Sequence, residues 1–195
     1  MSNAEKVQAI RTRTMAPFGK INEALKNAEG DVERAVGLLI QAKQADATDM
    51  ANRVANASIV YSYVHQNRIG AMIVLAAQTD FVTKGALFQE LAKDICMHIV
   101  SNPAEPKYLN EASIAPSVIE LWRAAYVAGC ANKPAAIMEK IVTGKLQKDF
   151  ETMCLLNQKF VKNPDLTITQ LIANVSAVVG EKIELKQFVK MKPSV

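Results

Sequence analysis

From Gly70 to Ala77 almost every position is apolar, and the pattern then breaks at Gln78-Thr79-Asp80-Phe81-Val82. A short apolar run bounded by polar residues predicts a buried strand. From Gly85 to about Ser101, Phe88, Leu91, Ala92, Ile95 and Ile99 recur at three- and four-residue spacing, which predicts a helix with one buried face. Upstream the period is two: Ile59, Tyr61, Tyr63 and His65 alternate with Val60, Ser62 and Val64. Asn67, Arg68 and Gly70 carry turn chemistry, so Ser58–Gln66 and Gly70–Ala77 are expected to pair as an antiparallel hairpin. Lys182–Met191 alternates again. It puts Ile183, Leu185, Val189 and Met191 on a buried face and Lys182, Glu184, Lys186 and Lys190 on a wet one.

The remaining segments are helical in pattern. Glu5–Arg13 carries Val7, Ala9 and Ile10, a second helix covers Lys20–Ala28, and a third, Asp31 to about Gln44, bears Val32, Ala35, Val36, Leu39 and Ile40 on one stripe. Gly30 suits a helix stop and Asp31 a helix start. Residues 46–57 are polar and alanine-rich, a linker with partial helical character that lets the two halves move. Downstream, Pro103, Pro106 and Pro116 interrupt the chain before Ser117–Ala131, with Val118, Leu121, Trp122, Ala125 and Tyr126 on one stripe. Pro134 opens a helix through Ile137, Ile141 and Leu146, and Ile168–Val179 forms the last. The predicted class is α+β: a three-helix bundle (4–45), a linker (46–57), and a small antiparallel three-stranded sheet packed with helices (58–195).

Composition narrows the chemistry. A chain of 195 residues, 50% hydrophobic, buries a substantial core. Cys96, Cys130 and Cys154 are widely spaced and odd in number, which predicts buried free thiols in a reducing compartment. The longest apolar run, Ala71–Ala77, is far short of the ~20 residues that span a bilayer, so no membrane segment is expected. Met1–Ala4 lacks the charged and apolar regions of a secretion signal, and its Ser2-Asn3-Ala4 resembles an expression scar, so the segment does not enter the fold reading. A net charge of +4 with both signs interspersed does not predict direct nucleic-acid binding and leaves an acidic protein partner open. No glycine-rich phosphate loop is present, so the chain itself is not expected to hold a nucleotide. Cys96 and His98 fall on different helix faces, which argues against a metal site and makes His98 a hydrogen-bonded packing residue. No cofactor and no catalytic nucleophile is predicted.

Gln78-Thr79-Asp80-Phe81-Val82 at a strand-to-helix junction resembles the signature of the elongation factor Ts family. The resemblance extends to Ala28-Glu29-Gly30-Asp31-Val32-Glu33-Arg34-Ala35-Val36, to Lys133-Pro134 through Lys148, to Gln158-Lys159-Phe160-Val161 and to Val179-Gly180-Glu181-Lys182-Ile183. Tyr61 to Gly70 runs straight into the signature strand, as in the short members with one core subdomain. The N-terminal bundle resembles the ubiquitin-associated fold.

The resemblance implies a non-enzymatic guanine-nucleotide exchange factor that acts on elongation factor Tu, in the cytoplasm or an organelle matrix. Thr79, Asp80, Phe81 and Val82 would form the GDP-release wedge, and Arg11, Phe18 and Gly19 the N-terminal contact. Short members work as homodimers, which implies pairing here, with the sheet edge as the expected seam; a monomer is the alternative. Read from the residues alone, Asp80 caps the following helix and Phe81 belongs to the core. Thr14-Met15-Ala16-Pro17-Phe18-Gly19-Lys20-Ile21-Asn22-Glu23-Ala24-Leu25 departs from the family pattern at the first glycine, the second apolar contact, the acid, the cysteine and both lysines. Lys20 thereby reverses a charge, and a divergent paralogue that binds without exchange stays open beside the exchange factor.

Overall fold

The computed structural model describes residues 3–14, 16, 18–130 and 133–193. Met15, Pro17 and Ala131, and the side chain of Ile40, lie outside the described residues. Contacts divide the chain into two compact units between Arg53 and Val54.

The first unit has three helices, α1 (Asn3–Thr14), α2 (Phe18–Asn27) and α3 (Val32–Asn52). Val7, Ile10, Ile21, Ala24, Leu25, Ala28, Ala35, Val36 and Leu39 close its core, so the apolar positions of all three helices converge. The turn between α2 and α3 follows its residues: Gly30 takes φ 82°, its N–H donates to Leu25 C=O at 2.9 Å, and Asp31 Oδ1 accepts from Arg34 N–H at 2.8 Å. Only glycine takes that backbone without a Cβ penalty. The third helix runs eight residues past the expected Gln44 and carries helical structure through most of the polar segment.

The second unit is built on a three-stranded antiparallel sheet ordered β1 (Ala57–His65), β2 (Ile69–Ala77) and β5 (Glu184–Met191). Between the strands lie α4 (Asp80–Thr83), α5 (Ala86–Ser101), α6 (Pro116–Ala128), α7 (Ala135–Met153), a short β3–β4 pair (Lys159–Phe160, Asn163–Thr167) and α8 (Ile168–Val179). The central strand is the most buried, and Ile73, Leu75 and Ala77 meet Phe88, Leu91, Ile95 and Ile99 of α5 and Ile168 and Ile172 of α8. Gln66 and Asn67, both at positive φ, make the hairpin turn, closed by Arg68 N–H donating to His65 C=O at 3.0 Å. Positive φ at both central residues matches the right-handed twist of the flanking strands.

Three expectations change. Val74 pairs with Gln187 but Leu75 with Leu185, so a bulge inserts Lys186 into β5. One extra residue transfers every later side chain to the other face. Phe188 therefore packs on the core, while Val189 and Met191 are 45% and 65% exposed, the reverse of the simple alternation. In α6 no residue is buried: Leu121 is 69% exposed and Trp122 half-buried, set edge-on to Tyr108. The helix packs mainly on α7, a single neighbour that covers too narrow a strip for its whole apolar stripe, and α7 itself buries Val142 and Leu146 but leaves Ile137 exposed. The β3–β4 pair was absent from the sequence pattern, because two residues and five do not establish a period.

Candidate functional site

The ladder between β1 and β2 ends at Ala57 and Ala77, and the chain turns at once into α4, a single turn of helix. Thr79 is its cap, with extended backbone and a hydroxyl that accepts from Val82 N–H at 3.4 Å. The same hydroxyl donates to Glu181 Oε1 at 2.7 Å, and Thr79 N–H donates to Glu181 Oε2 at 3.0 Å. At the other end Thr83, almost fully buried, donates to Asp80 C=O at 2.9 Å and accepts at its own carbonyl from the Gln89 side chain at 2.7 Å. Gly85 N–H returns to Val82 C=O at 2.9 Å, and a Cβ on Gly85 would stand 3.1 Å from that carbonyl oxygen. A side chain at this exit from the turn would press on that carbonyl, which favours glycine there.

This anchoring decides where Phe81 goes. Successive side chains on a helix diverge by about 100°, and Val82 and Thr83 are turned inward, Val82 against the core of the sheet. Phe81 consequently points outward and is 84% exposed. A large aromatic held that far into solvent on a fixed turn is a surface feature with an energetic cost, since burying such a ring ordinarily stabilises by about 1.5–3 kcal/mol. The reading of Phe81 as core is thus overturned, as is that of Asp80 as cap: the cap is Thr79, and Asp80 is the first helical residue. The Asp80 carboxylate instead accepts from Lys84 Nζ at 2.7 Å. The hydrogen bond and charge of that ammonium hold the Asp80 carboxyl below the usual carboxylate range.

In the first unit, Arg11 on α1 lies over the ring of Phe18 on α2, 4.3 Å from guanidinium carbon to ring centroid. Phe18 is still 51% exposed, so one face is stacked and the other open. Exposed cation–π pairs of this kind are worth about 0.5–1 kcal/mol. Gly19 follows on the surface with open space where a Cβ would stand. The structure thus joins Arg11, Phe18 and Gly19 within one unit and Thr79–Val82 within the other.

Among known proteins, the elongation factor Ts family matches residues 2–194. The chain belongs to the elongation factor Ts family. It is 39% identical to elongation factor Ts of Thermodesulfovibrio yellowstonii over 97% of this chain and 94% of that one. It is 37% identical to elongation factor Ts of Carboxydothermus hydrogenoformans, with 98% and 89% covered, and 39% identical to that of Desulfotalea psychrophila, with 95% of each covered.

Other chemistry-bearing residues of this family member have structural settings. Buried His98 meets Gln158 Oε1 at 3.0 Å through Nε2 and accepts from Val161 N–H at 3.3 Å through Nδ1, which makes it the hydrogen-bonded packing residue its spacing predicted. Cys96, Cys130 and Cys154 are free and buried, and burial pushes the Cys96 thiol up to about 12 and that of Cys154 to about 11. Neither is a thiolate near neutrality. Among the described residues no three His, Cys, Asp or Glu side chains form a metal-binding group, and no helix is long and apolar enough to cross a membrane. Glu181 escaped the sequence reading of the site. It lies 102 residues from Thr79, and nothing in its local pattern signals that it folds back onto the corner.

Proposed function

We propose that this protein is a guanine-nucleotide exchange factor of translation elongation, which binds elongation factor Tu carrying GDP and promotes GDP release by inserting the Asp80–Phe81 wedge near the Mg²⁺ and phosphate region. The observation that carries this reading is Phe81, 84% exposed on a turn whose neighbours are fixed by the core. Exchange requires no covalent step. A GTPase holds its nucleotide through oriented backbone, a Mg²⁺ and phosphate contacts, and a factor shifts that arrangement only by binding the displaced state better than the closed one. A rigid aromatic does this well because little of its binding free energy is lost to ordering it. Asp80 brings a carboxylate toward the metal region and weakens the order around Mg²⁺. Coupling is reciprocal: a factor that weakens GDP by ~10³ is itself weakened equally by GDP, about 4 kcal/mol.

The N-terminal unit, a ubiquitin-associated-like bundle in this reading, docks on the GTPase through Arg11, Phe18 and Gly19. Its partner is a protein, with no nucleic acid or cofactor involved, and the place of action is the cytoplasm. Two copies pair through the outer face of the sheet rather than its edge. That face carries Val60, Val64, Met72, Val189 and Met191, each at least 42% exposed, in register across all three strands. Met72→Lys at its centre should shift sedimentation from dimer to monomer at micromolar concentration, and an unchanged sedimentation coefficient would count against this seam.

The deciding experiment is release of fluorescent GDP from elongation factor Tu with the wild-type protein, with Phe81→Ala and with no addition. Acceleration that is largely lost in Phe81→Ala supports the wedge. Binding without acceleration by the wild type would instead favour the paralogue without exchange, in line with the reversed charge at exposed Lys20.

A further inference from the structure

We propose that Glu181 is the positioning residue of the Asp80–Phe81 projection, an inference that rests on the exchange reading above. Thr79 lies beyond the last rung of both ladders, since β2 pairs with β1 as far as Ala77 and with β5 as far as Ala76. Its N–H has no strand to pair with, and Glu181 Oε2 accepts from it at 3.0 Å. The second oxygen does more than add a contact. A hydroxyl carries one proton, and Thr79 commits that proton to Glu181 Oε1 at 2.7 Å, so a lone pair is left facing Val82 N–H. Glu181 therefore sets the hydroxyl rotor in the one sense that makes Thr79 a helix cap.

The carboxylate is itself held in place. α8 ends at Gly180, whose φ of 76° turns the chain toward the corner, with Gly180 N–H on Ser176 C=O at 2.9 Å and Ile183 N–H on Ser176 Oγ at 3.2 Å. Ile183 and Leu185 are then locked into the core, and Leu185 pairs with Leu75 of β2. Glu181 thus links the start of β5 to the end of β2. A single helical turn has too few internal hydrogen bonds to persist alone. Here it is tied at Thr79 by Glu181 and at Thr83 by Gln89, with Phe81 projecting between the two. Charge-assisted bonds to a carboxylate are about twice as strong as neutral ones, which makes the Glu181 tie the dominant one at the leading end.

The test uses the full chain and stimulated GDP release from elongation factor Tu, titrated with wild type, Glu181→Ala, Glu181→Gln, Phe81→Ala and the Phe81→Ala, Glu181→Ala double variant. Glu181→Ala removes both bonds to Thr79 and should raise the half-saturating concentration at least about tenfold, and Glu181→Gln, which keeps one acceptor oxygen, should recover part of it. In the Phe81→Ala background the Glu181 substitution should have no further effect. Amide exchange at Thr79 and Val82 should speed up in Glu181→Ala while that of Ile95 in α5 is unchanged. Normal exchange activity in Glu181→Ala beside a disabled Phe81→Ala would overturn the positioning role alone, and so would an additive double variant, which would make Glu181 a separate contact. Full activity in Phe81→Ala would overturn the wedge reading, and the functional role of Glu181 with it.

Discussion

Lys84 Nζ lies 2.7 Å from the Asp80 carboxylate, one helical turn on, and both side chains are 76% exposed. The pair engages the one acidic group of the projection without burying it. A carboxylate paired this way keeps its charge to lower pH than a free one. Whatever it contributes to the folded state is present above the ordinary carboxylate range and lost as pH falls through the depressed value. The Asp80 carboxyl carbon, followed by NMR against pH, should titrate below the usual range in the wild type and return to it in Lys84→Gln and at 1 M salt, where the Debye length shrinks to about 3 Å. The same shift in all three conditions would exclude the pairing in solution.

His98 gives a second pH dependence of opposite chemical origin. Its Nε2 donates to Gln158 Oε1, to which Asn102 also donates at 3.0 Å, and its Nδ1 accepts from Val161 N–H. A proton on Nδ1 would face an N–H. Burial first, and the Lys190 charge as well, hold the imidazole below its ordinary value against the smaller opposing effect of Gln158. The unfolded chain takes up a proton near pH 6.5, and the folded one does so only at lower pH. Stability should therefore fall as pH drops from 7 toward 5, by at most about 1.4 kcal/mol per pH unit from this group. Urea midpoints at pH 7 and pH 5 should show that loss in the wild type and a smaller one in His98→Gln.

Two glycines should respond to alanine with opposite signs. Apart from the adjoining residues and, for Gly37 inside α3, the helix's own backbone, no described atom lies within 4 Å of where an added methyl would stand at Gly37 or Gly180, so space does not distinguish them. Backbone conformation does. Gly37→Ala should stabilise the first unit by about 0.5–1 kcal/mol through helix propensity, read as slower amide exchange in α2 and α3. Gly180→Ala must place a side chain at φ 76° and should cost about 1–2 kcal/mol, read as a lower urea midpoint of the second unit.

The α6–α7 pair provides a packing test. Leu121→Ala, on the open side of α6, should change stability by no more than about 0.5 kcal/mol in urea denaturation. Leu146→Ala, buried on α7, should cost about 2–5 kcal/mol. Equal losses would mean that Leu121 is covered in solution.

The chain's own pattern determined a good deal of this architecture. Strict alternation in β1, continuous apolarity in β2, the three- and four-residue spacing of Phe88, Leu91, Ile95 and Ile99, and the Gly30-Asp31 stop and start are local signals, and local physics suffices to read them. The candidate corner was visible for the same reason, since Thr79–Val82 lies where two such signals meet. Tertiary structure decided what depends on a neighbour distant in sequence. Whether Phe81 is buried is set by which side of α4 the sheet and α5 occupy. Whether Val189 and Met191 face the core is set by the single-residue bulge opposite Val74 and Leu75, and whether Leu121 is covered by the number of helices that reach α6. Glu181 meets Thr79 only because β5 closes against β2. Period and propensity act over a few residues; burial, register and the partner of a carboxylate are properties of the assembled chain.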